Sequence, residues 1–444
     1  MELADKKVLV LGLARTGMEC ARFLVNRGAN VLISDVRPET ELKREIASLG
    51  RLPVRYLLGG EEPGWLDGVD YMVPSPGVPP ENRLLQEASR RGCKILSEIE
   101  LAYGFLRAPL VAITGTNGKS TTTTLVGEML KANGTKCFVG GNIGAPLIGF
   151  AGGDWEWGVV EVSSFQLEWI EKFRPHIAVL LNVTEDHLDR YADFAAYCRA
   201  KERILENQAA TDVAILNRDD PLVWTMRQRN SSRVISFGLS DVKHGVSATP
   251  EQIIWRQGSS KETFPLAKVK IKGVHNVENM MAAVAVAKVI DIPTPTIQRV
   301  LEAFPGLEHR LEFVREKNGA RYYNDSKGTN VGALVKSLAS FSQPVILLAG
   351  GVDKGGDYQV LQDGIRKKVR RLVLFGAAKD VIAKALGSLT ETVIVESLES
   401  AVRDAHEHAR PGDVVLLSPA CSSFDMFRNY AERGRVFKSL VRAL

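Results

Sequence analysis

Short apolar segments alternate with helical segments along almost the whole chain, and this alternation constrains the fold more than any other feature. The apolar segments, among them KVLVLGL, NVLISD, WGVVEV and PVILLAGG, are typical of buried strands. Strands that alternate with helices form parallel sheets whose faces are covered by those helices. We therefore expect an α/β protein.

The alternation is interrupted twice, and 444 residues are too many for one compact core. A new strand and a new glycine loop begin at RAPLVAITGTNGKST, so we place one boundary near residue 100. Pro305 and Gly306 interrupt the pattern again, at the second boundary. We predict a Rossmann-like N-terminal domain over residues 1–100, a central P-loop-type ATPase domain over 101–305, and a Rossmann-like C-terminal domain over 306–444. The central domain should combine a parallel sheet with a small antiparallel region near 246–273.

Charge and cysteine content exclude several classes of protein. The net charge of +5 is small, and we interpret the basic run RKKVRR (366–371) as the solvated end of a helix, so we expect no nucleic-acid partner. The five cysteines are scattered without a CxxC pair, which is typical of a reducing compartment. The apolar stretch MMAAVAVAKVI contains Lys288 and is too short to span a bilayer, so we expect a cytoplasmic protein without membrane insertion.

The first glycine turn, LVLGLARTG, is similar to the start of a dinucleotide-binding fold. A second strand ends about twenty residues later on Asp35, the spacing of a ribose-binding carboxylate. Ala14, however, stands where the fingerprint requires a second glycine, and it hinders the close approach of a pyrophosphate. Two interpretations remain: a dehydrogenase that departs from the fingerprint, or a nucleotide-sugar site that uses the same turn.

The second glycine loop, ITGTNGKST, is the strongest single signal in the sequence. A strand leads into Gly115 and Gly118, and a Lys–Ser–Thr run then opens a helix. Backbone N–H groups of such a loop cradle phosphates, Lys119 would reach the β- and γ-phosphates, and the Ser120 hydroxyl would bind Mg²⁺. The first glycine of the common P-loop would fall at Ile113, which leaves a glycine turn with an incidental lysine as the alternative. The intact strand–loop–helix context favours nucleotide binding.

Two further strands of the central domain end on polar residues. Glu161 follows GVV at the end of a buried strand, where an acid either binds a metal or accepts hydrogen bonds beside Ser163 and Ser164. Asp186 and His187 follow the strand HIAVLLNV, and we expect His187 at the same edge of the sheet.

For three polar residues on predicted helices, the sequence leaves both a structural and a functional role open. Lys201 would by itself be a solvated helix lysine. Asn276 and Asn279 lie one turn apart at a helix start, where they either cap the helix or recognise adenine or substrate.

The last block places several cations and hydroxyls in loops that follow strands, the usual ligand crevice of an open parallel sheet. This collection suits an anionic substrate, although ordinary loop polarity explains each member alone. The residues are Asp325, Lys327, Thr329, Lys354, Ser422 and Ser423.

Taken together, the motifs resemble the Mur ligase family, the ATP-dependent amino-acid ligases of peptidoglycan precursor synthesis. The matches come in family order and cover nearly the whole chain. They are GTNGKST, GGNIG (140–144), EVSSFQLE, LNVTEDHLDRY, AKERI, HN…N and the HR pair at 309–310. The stretches NDSKGTN, GGVDKG and SPACSSFDMF are similar to the branch that adds D-glutamate.

The resemblance implies a reaction and its cofactors. ATP would phosphorylate the carboxylate of UDP-N-acetylmuramoyl-L-alanine, and the amine of D-glutamate would attack the acyl phosphate to give an amide, ADP and phosphate. Two Mg²⁺ ions would be needed, one bound by Ser120 and Glu161 and a second placed with the help of His187. Lys201 matches the family lysine that reacts with CO₂, and its carbamate would help to position magnesium. We expect a monomer.

The resemblance also assigns site residues by position. The catalytic residues it implies are Lys119, His187, Lys201 and Lys327. The ATP-binding residues it implies are Gly115, Thr116, Asn117, Gly118, Lys119, Ser120, Thr121, Asn276, Asn279, Arg310 and Asp325. The UDP-linked substrate would contact Arg15, Thr16, Asp35, Arg37, Gly77, Asn142 and His187. D-Glutamate and the acyl phosphate would be surrounded by Lys327, Thr329, Lys354, Ser423, Phe424 and Tyr430.

Three positions depart from the family pattern. Gly328 replaces a usual alanine, and Tyr430 stands where the family often has phenylalanine. Ala14 and Arg15 occupy positions that vary within the family. A ligase for another amino acid or a folate-type acceptor, and a nucleotide-sugar or redox protein governed by the first domain, are the alternative functions.

Overall fold

The strands of the chain form three separate sheets of five, nine and six strands, in that order along the sequence. The computed structural model describes residues 1–188, 190–240 and 242–444. All but three of the neighbouring strand pairs are parallel, so the predicted α/β class, with a parallel sheet in each part of the chain, is confirmed. The division at residues 100 and 305 stays a prediction.

The first sheet is parallel throughout and has the strand order β3-β2-β1-β4-β5. Its strands are β1 (Lys7–Leu11), β2 (Asn30–Asp35), β3 (Val54–Leu58), β4 (Tyr71–Pro74) and β5 (Lys94–Ile95). Its helices are α1 (Arg15–Asn26), α2 (Glu39–Leu49) and α3 (Arg83–Arg90). The sequence pattern did not predict α2 or β3.

Helix α4 (Glu98–Tyr103) connects the first sheet to the second, and two carboxylates fix it to the second. The Glu98 carboxylate accepts a hydrogen bond from the backbone N–H of Ile148 at 2.6 Å. The Glu100 carboxylate accepts hydrogen bonds from three successive backbone N–H groups, those of residues 171–173. The connection between the two sheets is therefore anchored in the second part of the chain.

The second sheet has the order β14-β13-β12-β11-β10-β9-β6-β8-β7. Its strands are β6 (Leu110–Thr114), β7 (Cys137–Gly141), β8 (Trp157–Glu161), β9 (Ile177–Leu180), β10 (Val213–Asn217), β11 (Arg233–Gly238), β12 (His244–Ala248), β13 (Gln252–Gln257) and β14 (Ser260–Pro265). Its helices are α5 (Lys119–Ala132), α6 (Ser164–Leu167), α7 (Phe194–Glu202), α8 (Pro221–Met226), α9 (Val274–Val289) and α10 (Thr294–Ala303). Strands β12, β13 and β14 pair antiparallel, as predicted, and extend the sheet to an edge at β14.

The third sheet has the order β15-β16-β20-β17-β18-β19, with only β15 antiparallel to its neighbour. Its strands are β15 (Glu312–Lys317), β16 (Ala320–Asn324), β17 (Val345–Gly350), β18 (Val369–Phe375), β19 (Glu391–Ile394) and β20 (Val414–Leu417). Its helices are α11 (Val331–Ala339), α12 (Gln362–Lys368), α13 (Lys379–Leu386), α14 (Leu398–His408) and α15 (Tyr430–Ala443).

The basic run at 366–371 is not wholly a solvated helix end, and that interpretation is wrong for its last residues. Helix α12 ends at Lys368, and Arg370 and Arg371 belong to β18. Arg371 is buried, and its guanidinium donates to the carboxylate of Asp404 at 2.7 and 2.8 Å. The run is therefore partly internal to the fold.

Two broad expectations can be compared with the described residues. All five cysteines are free thiols, as their scattered positions predicted. Within residues 1–188, 190–240 and 242–444, no helix has both the length and the apolar character needed to cross a bilayer.

Candidate functional site

The site is built at the carboxyl ends of three neighbouring parallel strands, β9, β6 and β8. Strand β6 leads into the glycine loop, and helix α5 starts at Lys119. Gly118 has a φ of +90°, and a Cβ atom on it would lie 2.1 Å from Oδ1 of Asn279. The loop thus needs glycine for its backbone conformation and for its close packing against α9.

The Lys119 side chain folds back over this loop. Its ammonium donates hydrogen bonds to the backbone oxygens of Gly115 at 2.8 Å and Thr116 at 2.9 Å. Burial lowers the pKa of Lys119 to about 8. A lysine beside a helix N-terminus, with backbone N–H groups around it, is suited to bind a polyphosphate.

Glu161 ends β8 and is 3% exposed. One carboxylate oxygen accepts a hydrogen bond from Nδ2 of Asn142 at 2.7 Å, and the other has no hydrogen-bond partner among the described residues. Burial favours a raised pKa, but nearby Lys119 and the hydrogen bonds from Ser120 and Asn142 hold it below the ordinary value. An ionised, buried carboxylate with a free oxygen is a suitable ligand for a cation.

The donor set around Glu161 fits Mg²⁺ rather than a metal that needs a complete protein cage. The described residues contain no group of three or more His, Cys, Asp or Glu side chains that could hold a metal ion. Mg²⁺ commonly binds one or two carboxylates together with water and substrate phosphates. Glu161 and the Ser120 hydroxyl beside it meet that requirement.

Lys201 is not a solvated helix lysine, because it is only 2% exposed. Its Nζ donates to the backbone oxygen of Gly115 at 2.9 Å and lies 4.6 Å from the ring centroid of Tyr197. Burial and the nearby ammonium of Lys119 lower the pKa of Lys201 well below the usual value. A neutral amine is the form that reacts with CO₂, so the environment fits a carbamate.

His187 lies on the loop after β9 in a left-handed conformation with a φ of +57°, and its ring lies 4.8 Å from that of Phe165. The preceding residue, Asp186, connects this loop to the third part of the chain. Its carboxylate accepts a hydrogen bond from Nδ2 of Asn330 at 2.8 Å and lies 3.7 Å from Nζ of Lys354. The sequence interpretation gave Asp186 no such role.

A cavity between the glycine loop and the third sheet, which we call the loop cavity, contains most of the predicted ATP-binding residues. It is lined by Asn117, Gly118, Thr121, Asn182, His275, Asn276, Asn279, Arg310, Leu311, Asp325, Lys327, Gly328, Ala333, Lys336 and Ser337. The capping interpretation of Asn276 and Asn279 is wrong, because α9 begins at Val274 without a side-chain cap. His275, the first residue of the HN…N motif, was given no role from the sequence, yet it lines this cavity. Burial lowers the pKa of His275 to about 4.

Two residues from the third part of the chain shape the loop cavity. Nη2 of Arg310 donates to the Ser120 hydroxyl at 3.0 Å. Asp325 is buried and accepts hydrogen bonds from the hydroxyls of Ser337 at 2.6 Å and Ser418 at 2.7 Å. Burial raises the pKa of Asp325 to about 6.

A second cavity adjoins the loop cavity and shares Asn117, Arg310 and Lys327 with it; we call it the central cavity. It brings together all four predicted catalytic residues. Its lining includes Thr116, Lys119, Asn142, Glu161, Asp186, His187, Lys201, Lys327, Thr329 and Lys354.

Lys327 lies at the wall of the central cavity against an aromatic ring. Its Nζ lies 3.8 Å from the ring centroid of Tyr430, a cation–π distance. Burial and the nearby Arg310 lower the pKa of Lys327 to about 8. Ser423 is buried and Phe424 is 74% exposed, and neither is among the residues that line these cavities.

A third cavity lies over the carboxyl ends of β1, β2 and β4 and is called the first-domain cavity. Its lining includes Arg15, Thr16, Asp35, Arg37, Gly77 and Asn142, and Asn142 also lines the central cavity. The Asp35 carboxylate accepts a hydrogen bond from the backbone N–H of Leu13 at 2.8 Å and pairs with Arg37 at 2.9 Å. The Asp35 carboxylate therefore helps to hold the first glycine turn and lies in the wall of this cavity.

The three cavities share lining residues and thus form a path from the first glycine turn, past the lysines and Glu161 of the central cavity, to the second glycine loop. Such a path suits a long substrate in the first-domain cavity and a nucleotide in the loop cavity, with their reacting groups meeting at the central cavity.

The sequence matches three domain families of known proteins. Residues 6–97 match the Mur ligase MurD-like, N-terminal domain; residues 113–287 match the Mur ligase middle domain; and residues 309–421 match the Mur ligase, glutamate ligase domain. Two curated relatives carry the name UDP-N-acetylmuramoylalanine--D-glutamate ligase. The one from Geotalea uraniireducens is 51% identical over 100% of this chain and 99% of its own, and the one from Trichlorobacter lovleyi is 47% identical over 100% of both.

Solved structures with the same overall fold have much lower identity. The UDP-N-acetylmuramate-alanine ligase of Thermotoga maritima superposes with a TM-score of 0.61 at 19% identity, covering 98% of this chain and 99% of its own. A pseudomurein peptide ligase of Methanothermus fervidus superposes with a TM-score of 0.63 at 18% identity, covering 99% of this chain and 100% of its own.

Proposed function

The chain belongs to the Mur ligase family, and from this premise we propose that it joins D-glutamate to UDP-N-acetylmuramoyl-L-alanine. It is an ATP-dependent, ADP-forming amide ligase of peptidoglycan precursor synthesis, as its full-length relatives are. The observation that carries the proposal is the central cavity, where an ionised carboxylate with a free oxygen lies among four lysines, between a phosphate-type loop and the first-domain cavity.

The arrangement suits activation of a carboxylate by ATP. A carboxylate is a poor electrophile, and transfer of the γ-phosphoryl group to one of its oxygens supplies a good leaving group. The amine of D-glutamate then attacks the acyl carbon, loses a proton, and expels phosphate from the tetrahedral intermediate. Cations between the carboxylate and the γ-phosphate reduce their mutual repulsion.

On the phosphate side, Lys119 would hold the β- and γ-phosphates. Ser120 and Glu161 would bind one Mg²⁺, which would supply charge neutralisation at the transferred phosphoryl group. Arg310 already contacts the Ser120 hydroxyl, so it lies where the phosphates would be. The remaining residues of the nucleotide site would be Gly115, Thr116, Asn117, Gly118, Thr121, Asn276, Asn279 and Asp325.

Lys201 would act as a carbamate, an anion that helps to position magnesium, and His187 would help to bind a second ion. The lowered pKa of Lys201 supports this chemistry, because the amine must be neutral to add to CO₂.

On the substrate side, the UDP-linked substrate would occupy the first-domain cavity through Arg15, Thr16, Asp35, Arg37 and Gly77, with Asn142 at its reacting end. D-Glutamate would bind near Lys327, Thr329, Lys354 and Tyr430. Ser423 and Phe424 are assigned to the same site by their sequence motif alone. The monomeric state and the cytoplasmic location stay predictions.

Phosphate release from ATP tests the proposal with UDP-N-acetylmuramoyl-L-alanine and a panel of amino-acid acceptors. D-Glutamate is expected to support turnover and other amino acids are not. Turnover with another amino acid while D-glutamate is inert would show a related ligase of different specificity.

A further inference from the structure

Helix α15 carries a guanidinium that is completely buried, at 0% exposure, in the third part of the chain. Nε of Arg433 donates to the hydroxyl of Ser326 at 3.0 Å, and Nη2 donates to the backbone oxygen of the same residue at 2.9 Å. Ser326 lies in the loop after β16, directly before Lys327.

The same guanidinium reaches two other loops. Nη2 of Arg433 also donates to the backbone oxygen of Cys421 at 3.2 Å, and Nη1 donates to those of Ser422 at 3.3 Å and Gly350 at 3.4 Å. Gly350 ends β17, and the other two residues follow β20. Strands β16, β20 and β17 are adjacent in the sheet, so one side chain connects the loops at three neighbouring strand ends.

Arg433 has no carboxylate partner within salt-bridge distance among the described residues. A buried charge is costly unless hydrogen bonds compensate for the lost water, and here hydroxyl and carbonyl oxygens provide that compensation. A planar guanidinium presents five N–H donors in a fixed geometry, which suits several acceptors at once, whereas an ammonium presents three from a single point.

The three connected loops carry the residues assigned to the amino acid. Lys327 follows Ser326, Ser423 follows Ser422, and Lys354 lies four residues beyond Gly350. The carbonyl and N–H of one peptide unit point in opposite directions. By holding the carbonyls of Ser326 and Ser422, the guanidinium therefore also fixes the directions of the N–H groups that follow them.

We propose that Arg433 is a positioning residue for the amino-acid site, which sets the binding of D-glutamate by holding in register three loops that carry residues assigned to that site. This inference rests on the proposed function, since it identifies the residue that organises the same site. Arg433 lines none of the three cavities described above, so it acts through the loops rather than by touching substrate.

The test compares the full-length Arg433→Lys enzyme with wild type, measuring KM separately for D-glutamate, ATP and the UDP-linked substrate. Arg433→Lys removes the planar guanidinium and its fixed set of donors. The KM of this variant for D-glutamate is expected to rise at least about tenfold, and its KM values for the other two substrates to change by less than about twofold. Arg435→Ala, on an exposed residue of the same helix, is the matched control and is expected to behave as wild type.

Ser326→Ala is a second variant that leaves Arg433 in place. It removes one acceptor of Arg433 and also the hydrogen bond that the Ser326 hydroxyl donates to the backbone oxygen of Tyr430 at 2.8 Å. It is expected to raise the KM for D-glutamate about threefold, and it decides the question if Arg433→Lys does not fold. An unchanged KM for D-glutamate, or a parallel rise in all three KM values, would overturn the inference. Failure of the wild type itself to use D-glutamate would instead refute the proposed function.

Discussion

Replacing Gly118 by alanine should weaken both ATP binding and the stability of the fold. The residue has a φ of +90°, and the added Cβ would lie 2.1 Å from Oδ1 of Asn279. A left-handed conformation costs a non-glycine residue about 1–2 kcal/mol, so the free energy of unfolding should fall by about that amount.

A second effect concerns the loop cavity. Ordinary contact begins near 3.4 Å, so the oxygen of Asn279 must move by about 3.4 − 2.1 = 1.3 Å. Asn279 is buried and lines the loop cavity, so this movement removes it from a nucleotide bound there. A lost hydrogen bond of about 1–1.5 kcal/mol corresponds to roughly a tenfold increase in the KM for ATP.

The assay is the initial rate of phosphate release against ATP concentration, with both other substrates saturating, together with the thermal midpoint of each protein. Gly149→Ala is the matched control, because a Cβ there meets nothing within 4 Å, and both its KM and its stability should stay near those of wild type. A Gly118→Ala enzyme with the same KM for ATP as wild type would refute the assignment of this loop and Asn279 to the nucleotide.

Four other perturbations concern the lysines of the central cavity. Lys201→Ala should be almost inactive and regain activity when short carboxylates such as acetate are added; full activity without them would exclude the carbamate. Lys119→Ala should fold normally, by circular dichroism, but lose turnover, and retained turnover would show that the glycine loop was misinterpreted. Because burial lowers the pKa values of Lys119 and Lys327 to about 8, kcat/KM for ATP should fall as pH rises through that value. The stability contributed by these lysines should rise between about 8 and 10.5, because the unfolded chain still binds the protons that the folded chain has lost. Lys327→Met tests the direction of this pH dependence. The thermal midpoint of wild type, relative to that of the variant, should increase as the pH rises from about 8 to 10.5. A relative decrease would contradict the prediction.

The sequence correctly predicted which strands end at the site, but it did not predict every strand at the edges of the sheets. Glu161 and His187 were placed at one edge because each follows an apolar strand, and parallel strands share their carboxyl ends. Strand β3 was missed because its sequence, VRYLL, contains an arginine and therefore has no continuous apolar run. Most of its residues are also partly exposed.

Residues whose partners are distant in sequence could not be found by pattern. Arg371 pairs with Asp404 on another element, so the run RKKVRR by itself gave no sign that one of its members is internal. Arg433 lies in the charged stretch AERGR, and from the sequence alone it would be placed on a solvated helix face. Most of its acceptors are backbone oxygens of three loops. Every residue has a backbone oxygen, so no sequence pattern indicates such a contact.

The edge of the second sheet has a consequence for self-association. Among residues 1–188, 190–240 and 242–444, strand β14 pairs on one side only, with β13. A free strand edge can template the addition of a strand from another copy. Its sequence SKETFP places charges along that edge and a proline at its end, and Glu262 pairs with Lys288 of α9 at 2.8 Å. A proline lacks the N–H that an incoming strand would need, and ionic side chains lose hydration when a strand docks beside them. The antiparallel extension therefore lengthens the sheet while blocking its growth into an intermolecular one.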